Sequence, residues 1–230
     1  MDWNETDDAE SWAKGAANDI ANALADALAK QDRVRVLLSG GTTPAPVYER
    51  LAHAEIDWPR VDVGLVDERW LPPDDAHGNA RLLREHLLRD RAAAAHFEPF
   101  ANTGDELEDA VQAANLDAQR PADIVVLGMG GDGHTASLFP GMHGLAQALA
   151  SPQAYVAVDA SGCPGAGPWP RRISLTPAGL APASTRMLLI RGEGKRALLQ
   201  RALDGDDALE LPIRIAFTTP GARLRVHWCP

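Results

Sequence analysis

The sequence predicts an α/β fold, a Rossmann-like three-layer sandwich with a mostly parallel central sheet, and three observations carry that reading. Short, near-continuous apolar runs alternate with helix-period stretches, the pattern of parallel strands covered on both faces. Several of these runs stop at glycine-containing turns that lead into helix starts, the layout by which open α/β sheets set chemistry at carboxyl strand ends. The 230 residues suffice to bury one core. With no internal repeat or linker composition to divide them, residues 1–230 read as one domain.

The elements follow in order. Residues 9–31 are Ala-rich, with Trp12, Ile20, Leu24 and Leu28 near one helical stripe. Val34 to Leu38 form an apolar strand ending at Ser39-Gly40-Gly41-Thr42-Thr43-Pro44, and Pro44 suits the first turn of a helix through residue 53. Val61 to Val66 read as the next strand, closed by Asp67-Glu68-Arg69-Trp70. Residues 79–89 and 105–119 are helical in pattern, and Glu106, Glu108 and Asp109 suit the positive end of the second. Ile124 to Leu127 and Tyr155 to Val158 are strands, while Thr135 to Leu138 can open a helix. The Pro/Gly-rich stretch 160–170 is a loop. Ile173 to Leu175, Met187 to Ile190, Ile213 to Phe217 and Leu224 to Trp228 complete the strands, and Lys195 to Leu203 is a helix after Gly192-Glu193-Gly194.

Composition excludes several classes of function. A net charge of −10 and a pI near 5.1 disfavour nucleic acid or an anionic membrane as partner. An anionic small molecule remains possible where local basic groups overcome that field. Cys163 and Cys229 make neither a disulfide framework nor a zinc spacing, so a reducing cytoplasm is expected. The N-terminus lacks the basic and apolar regions of a signal peptide, and no apolar run is long enough for a membrane span. The seven histidines include no metal-binding pattern, so no metal and no cofactor are expected.

Residues 123–141, Asp-Ile-Val-Val-Leu-Gly-Met-Gly-Gly-Asp-Gly-His-Thr-Ala-Ser-Leu-Phe-Pro-Gly, carry the strongest chemical signal. Gly128, Gly130, Gly131 and Gly133 crowd a strand end and let backbone N–H groups approach a ligand. His134 and Asp132 sit at the end of this turn. Glycine turns also close ordinary strand–helix junctions, but Asp-Gly-His inside one is hard to explain as punctuation, and a catalytic site is the better reading. Ser39 to Pro44 resembles a phosphate cradle; a tight turn with a Thr cap reads equally from the same residues. It has neither the dinucleotide fingerprint nor the Walker spacing, so NAD and ATP are not implied. Asp67-Glu68-Arg69 at a strand end can hold a polyhydroxylated, charged ligand, or be a surface ion pair. Arg172 offers bidentate anion recognition, with Arg171 its solvent-facing neighbour. Lys195 near a helix start is electrostatically out of place unless an anion binds there. His77, in the loop after Arg69, is kept as a further candidate.

In this order the blocks Ser39–Pro44, Val66–Trp70, Gly128–Gly141, Arg172–Thr176 and Gly192–Lys195 resemble the 6-phosphogluconolactonases, in the superfamily shared with glucosamine-6-phosphate isomerases/deaminases. Thr42 and Ser174 depart from that pattern but keep a hydroxyl. The resemblance implies hydrolysis of 6-phospho-D-glucono-1,5-lactone to 6-phosphogluconate, the second step of the oxidative pentose phosphate pathway. It further implies that His134 is the general base on water, with Asp132 orienting it. Amides of Gly130, Gly131 or Gly133 would stabilise the oxyanion. Gly40, Gly41, Thr42, Arg172 and Lys195 would hold the phosphate, while Asp67 and Arg69 face the sugar ring or its carbonyl; Arg69 serving phosphate stays open.

The partner implied is a small sugar-phosphate lactone, with the protein a monomer or weak homodimer. An aminosugar-6-phosphate isomerase/deaminase is the nearest alternative, but such enzymes continue Gly-x-Asp-Gly-His with Ile-Ala-Phe-Asn-Glu-Pro, whose Glu corresponds to Phe139 here. Phe139 is expected to pack on a helix opened by Thr135. A non-catalytic sugar-phosphate sensor is the second alternative. It would normally travel with a DNA-binding helix-turn-helix, and the residues before Val34 have room for one acidic helix only.

Overall fold

The computed structural model describes residues 1–100 and 106–230. Its strands and α-helices, in chain order, are β1 (Asp2–Glu5), α1 (Ala9–Leu28), β2 (Val34–Leu38), α2 (Ala45–Leu51), β3 (Val61–Leu65), β4 (Asp67–Arg69), α3 (Asn79–His86), β5 (His96–Glu98) and α4 (Leu107–Asp117). The second half adds β6 (Ile124–Gly128), α5 (Leu145–Leu149), β7 (Tyr155–Asp159), β8 (Arg171–Leu175), α6 (Pro177–Leu180), β9 (Thr185–Arg191), α7 (Glu193–Leu203), α8 (Ile215–Thr218) and β10 (Leu224–Cys229).

Seven strands form one parallel sheet in the order β1-β10-β9-β6-β2-β3-β5. Side chains alternate across it, and the alternation builds two separate cores. Val34, Val36 and Leu38 of β2, Ile124 and Val126 of β6, and Met187 and Leu189 of β9 pack on one face with α1 and α2. Leu37, Val125, Leu127, Leu188 and Ile190 point to the other face, under α4 and α7. The run of buried residues in α1, Trp12, Ala13, Ala16, Ala17, Ile20, Ala23, Leu24 and Leu28, keeps one helical stripe against the sheet. Asp8 starts that helix: its Oδ1 accepts from the amides of Glu10 and Ser11, both at 2.8 Å.

Three expectations are corrected. Tyr155–Asp159 and Arg171–Leu175 do not join the parallel sheet; they pair antiparallel with each other and with β4 in a second sheet of order β4-β8-β7. This small sheet lies on the face occupied by α4, since Tyr155, Ile173 and Leu175 share its core. Residues 213–217 are helical, a 3-10 turn at Pro212–Arg214 running into α8. An apolar run of that length does not separate strand from buried helix, and Pro212 in the first turn favours the helix. No helix opens at Thr135: Leu138 N donates to the Thr135 carbonyl at 3.0 Å in a tight turn, and Ala136 sits at φ +49°. Strands β1, β4 and β5 went unread; none exceeds four residues. The expected helix over 105–119 is present as α4, and its first expected residue, Asp105, lies outside the described residues.

Candidate active site

The carboxyl ends of β2, β6 and β9 open onto one cleft of about 230 Å³, where open parallel sheets place ligands. Its walls include Gly40, Gly41, Thr42, Asp67, Arg69, Gly130, His134, Arg172 and Lys195. Nine of the residues expected from sequence thus converge on one site from five separate stretches of chain.

The glycine turn after β6 presents His134. Gly130 N donates to the His134 carbonyl at 2.9 Å, and Gly133 N to the Gly130 carbonyl at 3.2 Å. Gly133 needs its glycine, at φ +86° and packed against Leu211, and Ile213 N donates to the Gly133 carbonyl at 2.9 Å. Asp132 Oδ1 accepts from the backbone N of His134 at 3.1 Å and lies 2.5 Å from its Nδ1. Burial raises the Asp132 pKa, but the hydrogen bond and charge of His134 outweigh it and hold the carboxyl below the usual carboxylate range. An ionised carboxylate only accepts, so Nδ1 carries the proton that faces it, and a general base in this orientation would offer the lone pair of Nε2. Among the described residues Nε2 has no partner. Under the imidazole lies Phe139, fully buried, with ring centroids 4.3 Å apart.

On the opposite wall the amides of Gly40, Gly41, Thr42 and Thr43 have no backbone or side-chain acceptor among the described residues. Gly41 holds φ +89°, a conformation in which successive N–H groups can form an anion-binding concavity. Lys195, in the first turn of α7, has no ion pair among the described residues; burial lowers its pKa and the Asp132 charge opposes this. Such a desolvated, uncompensated ammonium suits an incoming anion.

Asp67 and Arg172 are more deeply set. Asp67 Oδ2 accepts from Ser137 Oγ at 2.6 Å and lies 4.0 Å from Arg172 Nη1. Arg172 donates through Nε to the Trp169 carbonyl at 2.9 Å and through Nη2 to the Ala166 carbonyl at 2.7 Å. Its guanidinium also stands 5.1 Å from the Phe139 ring, so Phe139 contacts both Arg172 and His134, and the helix it was expected to pack on is not formed. Burial lowers the Arg172 pKa, against the attraction of Asp67. Arg171, one residue away in β8, is exposed, as strand alternation requires. Arg69 donates through Nη1 to the His77 carbonyl at 2.5 Å, while its Nε is buried without a partner among the described residues. The His77 and Trp169 rings meet at 4.3 Å, joining the two loops that Arg69 and Arg172 anchor.

Two parts of the expected site are revised. Asp132, Gly131 and Gly133 do not line the cleft; Asp132 stands behind His134 and is backed by the 160–170 loop at Gly165. The amides of Gly130 and Gly133 are held inside the turn, so neither is free for an oxyanion. Sequence reading missed Asn79 and Ser137, and it offered Glu68 as a ligand-holding carboxylate or surface ion pair rather than as a helix cap. Glu68 accepts from the amides of Arg69, Asn79 and Ala80 at 2.7–2.8 Å and so caps α3, where Gly78 has no side chain to do so. Burial raises the Glu68 pKa, partly offset by these amides. The signal was present, since a carboxylate and a Gly-Asn pair stood on the two sides of the loop, but only folding brings them together.

A parallel α/β sheet whose strand ends bring an oriented His–Asp pair, a loop of unpaired amides and a lysine to one cleft has the layout of the ligand-binding α/β enzymes. Comparison with known proteins narrows the class. Residues 7–228 match the model of the family described as glucosamine-6-phosphate isomerases/6-phosphogluconolactonase. A 6-phosphogluconolactonase of Xylella fastidiosa is 52% identical over 225 residues, covering 97% of this chain and 94% of that protein. One from Pseudomonas putida is 40% identical over 231 residues, covering 99% and 92%. The crystal structure of a 6-phosphogluconolactonase from Shewanella baltica OS155 superposes with a TM-score of 0.93 at 32% identity, covering 100% of this chain and 98% of that one. The chain belongs to the glucosamine-6-phosphate isomerase/6-phosphogluconolactonase family.

Proposed function

We propose that the protein is a 6-phosphogluconolactonase, hydrolysing 6-phospho-D-glucono-1,5-lactone to 6-phosphogluconate in the oxidative pentose phosphate pathway. The relatives named above support the activity. The observation that supports this chemistry within the chain is the His134–Asp132 pair, whose free Nε2 shares a cleft with unpaired amides and Lys195. In this reading the phosphate sits on the amides of Gly40, Gly41 and Thr42, with Lys195 supplying charge. That anchors the lactone carbonyl near His134.

Nε2 removes a proton from water as the water oxygen attacks the carbonyl carbon. Charge builds on the carbonyl oxygen, and Arg69 is the donor proposed to meet it, since the turn amides of Gly130 and Gly133 are engaged. The tetrahedral intermediate then expels the ring oxygen, and imidazolium returns its proton to that oxygen. Asp132 fixes the tautomer throughout and stabilises the imidazolium. Arg172 is assigned to the same end of the site as Asp67, shaping the wall rather than gripping phosphate alone. The protein is read as acting in a reducing cytoplasm, without metal or cofactor and without nucleic-acid or membrane partners. Among the described residues no helix is long and apolar enough to cross a membrane.

The direct test follows lactone disappearance, generated in place by glucose-6-phosphate dehydrogenase, with and without the protein. Acceleration well above spontaneous hydrolysis is expected. A rate equal to the spontaneous one, from a protein that binds 6-phosphogluconate, would instead support the sensor reading.

A further inference from the structure

Asn79 opens α3 and is only 2% exposed, yet it lies in the cleft wall, and the reaction scheme above gives it no role. Its Nδ2 donates to the Asp67 carbonyl at 2.8 Å and stands 3.4 Å from Asp67 Oδ1. Its Oδ1 has no hydrogen-bond partner among the described residues and lies hard against Gly40. A Cβ at residue 40 would overlap Oδ1, Cγ and Nδ2 of Asn79. The neighbouring Ser39 Oγ is a second buried polar atom without a partner. An amide kept half-satisfied in a buried place is costly, and its retention calls for a reason.

The two chains that Asn79 touches separate here. Val66 N donates to the Leu38 carbonyl at 3.0 Å; beyond that bond β2 runs into the anion loop and β3 into the Asp67–Arg69 strand. Asn79 bridges the gap, and its own place is fixed by the Glu68 carboxylate, which accepts from the amides of Asn79 and Ala80. We infer that Asn79 is a positioning residue: wedged between Gly40 and Asp67, it holds the anion-binding loop in register with the Asp67–Arg69 strand. A molecule anchored by its phosphate on one wall is thereby aimed at the other. Its anchor and its reacting carbonyl belong to different strands, so misalignment between them is felt as lost positioning. The inference rests on the lactonase reading for the identity of that molecule, and its binding measurements stand independently of turnover.

The experiment uses the full chain and the variants Asn79→Ala, Gly40→Ala and the double variant, with inorganic phosphate and 6-phosphogluconate as binding probes. In Asn79→Ala, phosphate affinity should stay within about threefold, because the loop amides remain. Affinity for 6-phosphogluconate and kcat/KM for the phosphorylated lactone should each fall about 10- to 100-fold, the scale of a misplaced but intact group. Unphosphorylated gluconolactone, which has no anchor to misalign, should lose less than about threefold. Gly40→Ala should reproduce the loss by displacing the amide. In the double variant the methyl enters vacated space, so the two losses should not multiply. Equal losses on both lactones, preserved preference in Asn79→Ala, or multiplying losses would overturn the inference. A parent protein that binds 6-phosphogluconate but accelerates neither lactone overturns the function alone, while the binding arms still decide the role of Asn79.

Discussion

His134, Lys195 and Arg172 respond to different parts of the same cleft, and single substitutions should separate them. His134→Ala should lower lactone hydrolysis about 100-fold or more, the usual weight of a general base, while folding and 6-phosphogluconate binding persist. Lys195 has no partner to lose among the described residues. Lys195→Ala should therefore weaken kcat/KM for the phosphorylated lactone by about 1.5–3 kcal/mol and leave unphosphorylated gluconolactone nearly untouched. Arg172 differs because its donors hold the Trp169 and Ala166 carbonyls. Arg172→Ala should lower activity on both substrates and the unfolding midpoint as well, and steady-state kinetics beside urea denaturation would check both. From the resemblance, Lys195 and Arg172 are both expected to hold the phosphate. Burial and loop anchoring distinguish them, and neither can be read from residue type. The place of His134 and Asp132 in one glycine turn was legible, while their hydrogen bond was expected only from the family resemblance; Asn79, which meets Gly40 and Asp67 only through tertiary packing, was not legible at all.

At the scale of elements, pairing through charges joins the sheet below the cleft. Asp62 of β3, its side chain 1% exposed, accepts from Arg33 before β2 and from His96 of β5 at 3.1 Å, and forms an ion pair with Arg120 before β6 at 2.7 Å. Glu98 joins through Arg35 and Arg120, both at 2.7 Å, so arginines already compensate the carboxylates of this cluster. Burial raises the Asp62 pKa, but the Arg33 and Arg120 charges and the His96 bond outweigh it and lower the pKa in the fold. A lowered folded pKa means stability present in full above the unfolded carboxylate value of about 3.9 and lost as pH falls through the folded value. Asp62→Asn should thus cost about 1–3 kcal/mol near neutral pH, held down by the half-exposed arginines, with the cost fading in strong acid. Denaturant midpoints of both proteins across that range would check it, and a pH-independent difference would contradict the charge argument. The long, periodic elements were readable: α1 and the buried strands β2, β6 and β9 lie where apolar spacing put them. The failure at 213–217 has a physical source, since a short stretch buried on every side has no period to show. That misread turn matters, because Ile213 N ties down Gly133 and with it the turn that presents His134.

For the whole molecule the open chemical question is which of the family's two reactions this architecture performs. Isomerisation with deamination needs ring opening of an aminosugar and then proton transfer between neighbouring carbons, so a further acid–base group beside the histidine is required. The position that would supply it holds Phe139, buried with its ring 4.3 Å from the His134 ring and 5.1 Å from the Arg172 guanidinium. A phenyl ring neither gives nor takes a proton. Lactone hydrolysis needs only an activated water, a stabilised oxyanion and a proton for the leaving ring oxygen, all within reach of His134 and a guanidinium. The protein should therefore speed removal of 6-phosphogluconolactone while releasing no measurable ammonia or fructose 6-phosphate from glucosamine 6-phosphate. Both activities can be read on one preparation, by coupled 6-phosphogluconate detection and by ammonia release. Deamination of the aminosugar with the lactone left at its spontaneous rate would reverse the assignment, and would mean that a proton donor reaches this site by a route the packing around Phe139 does not provide.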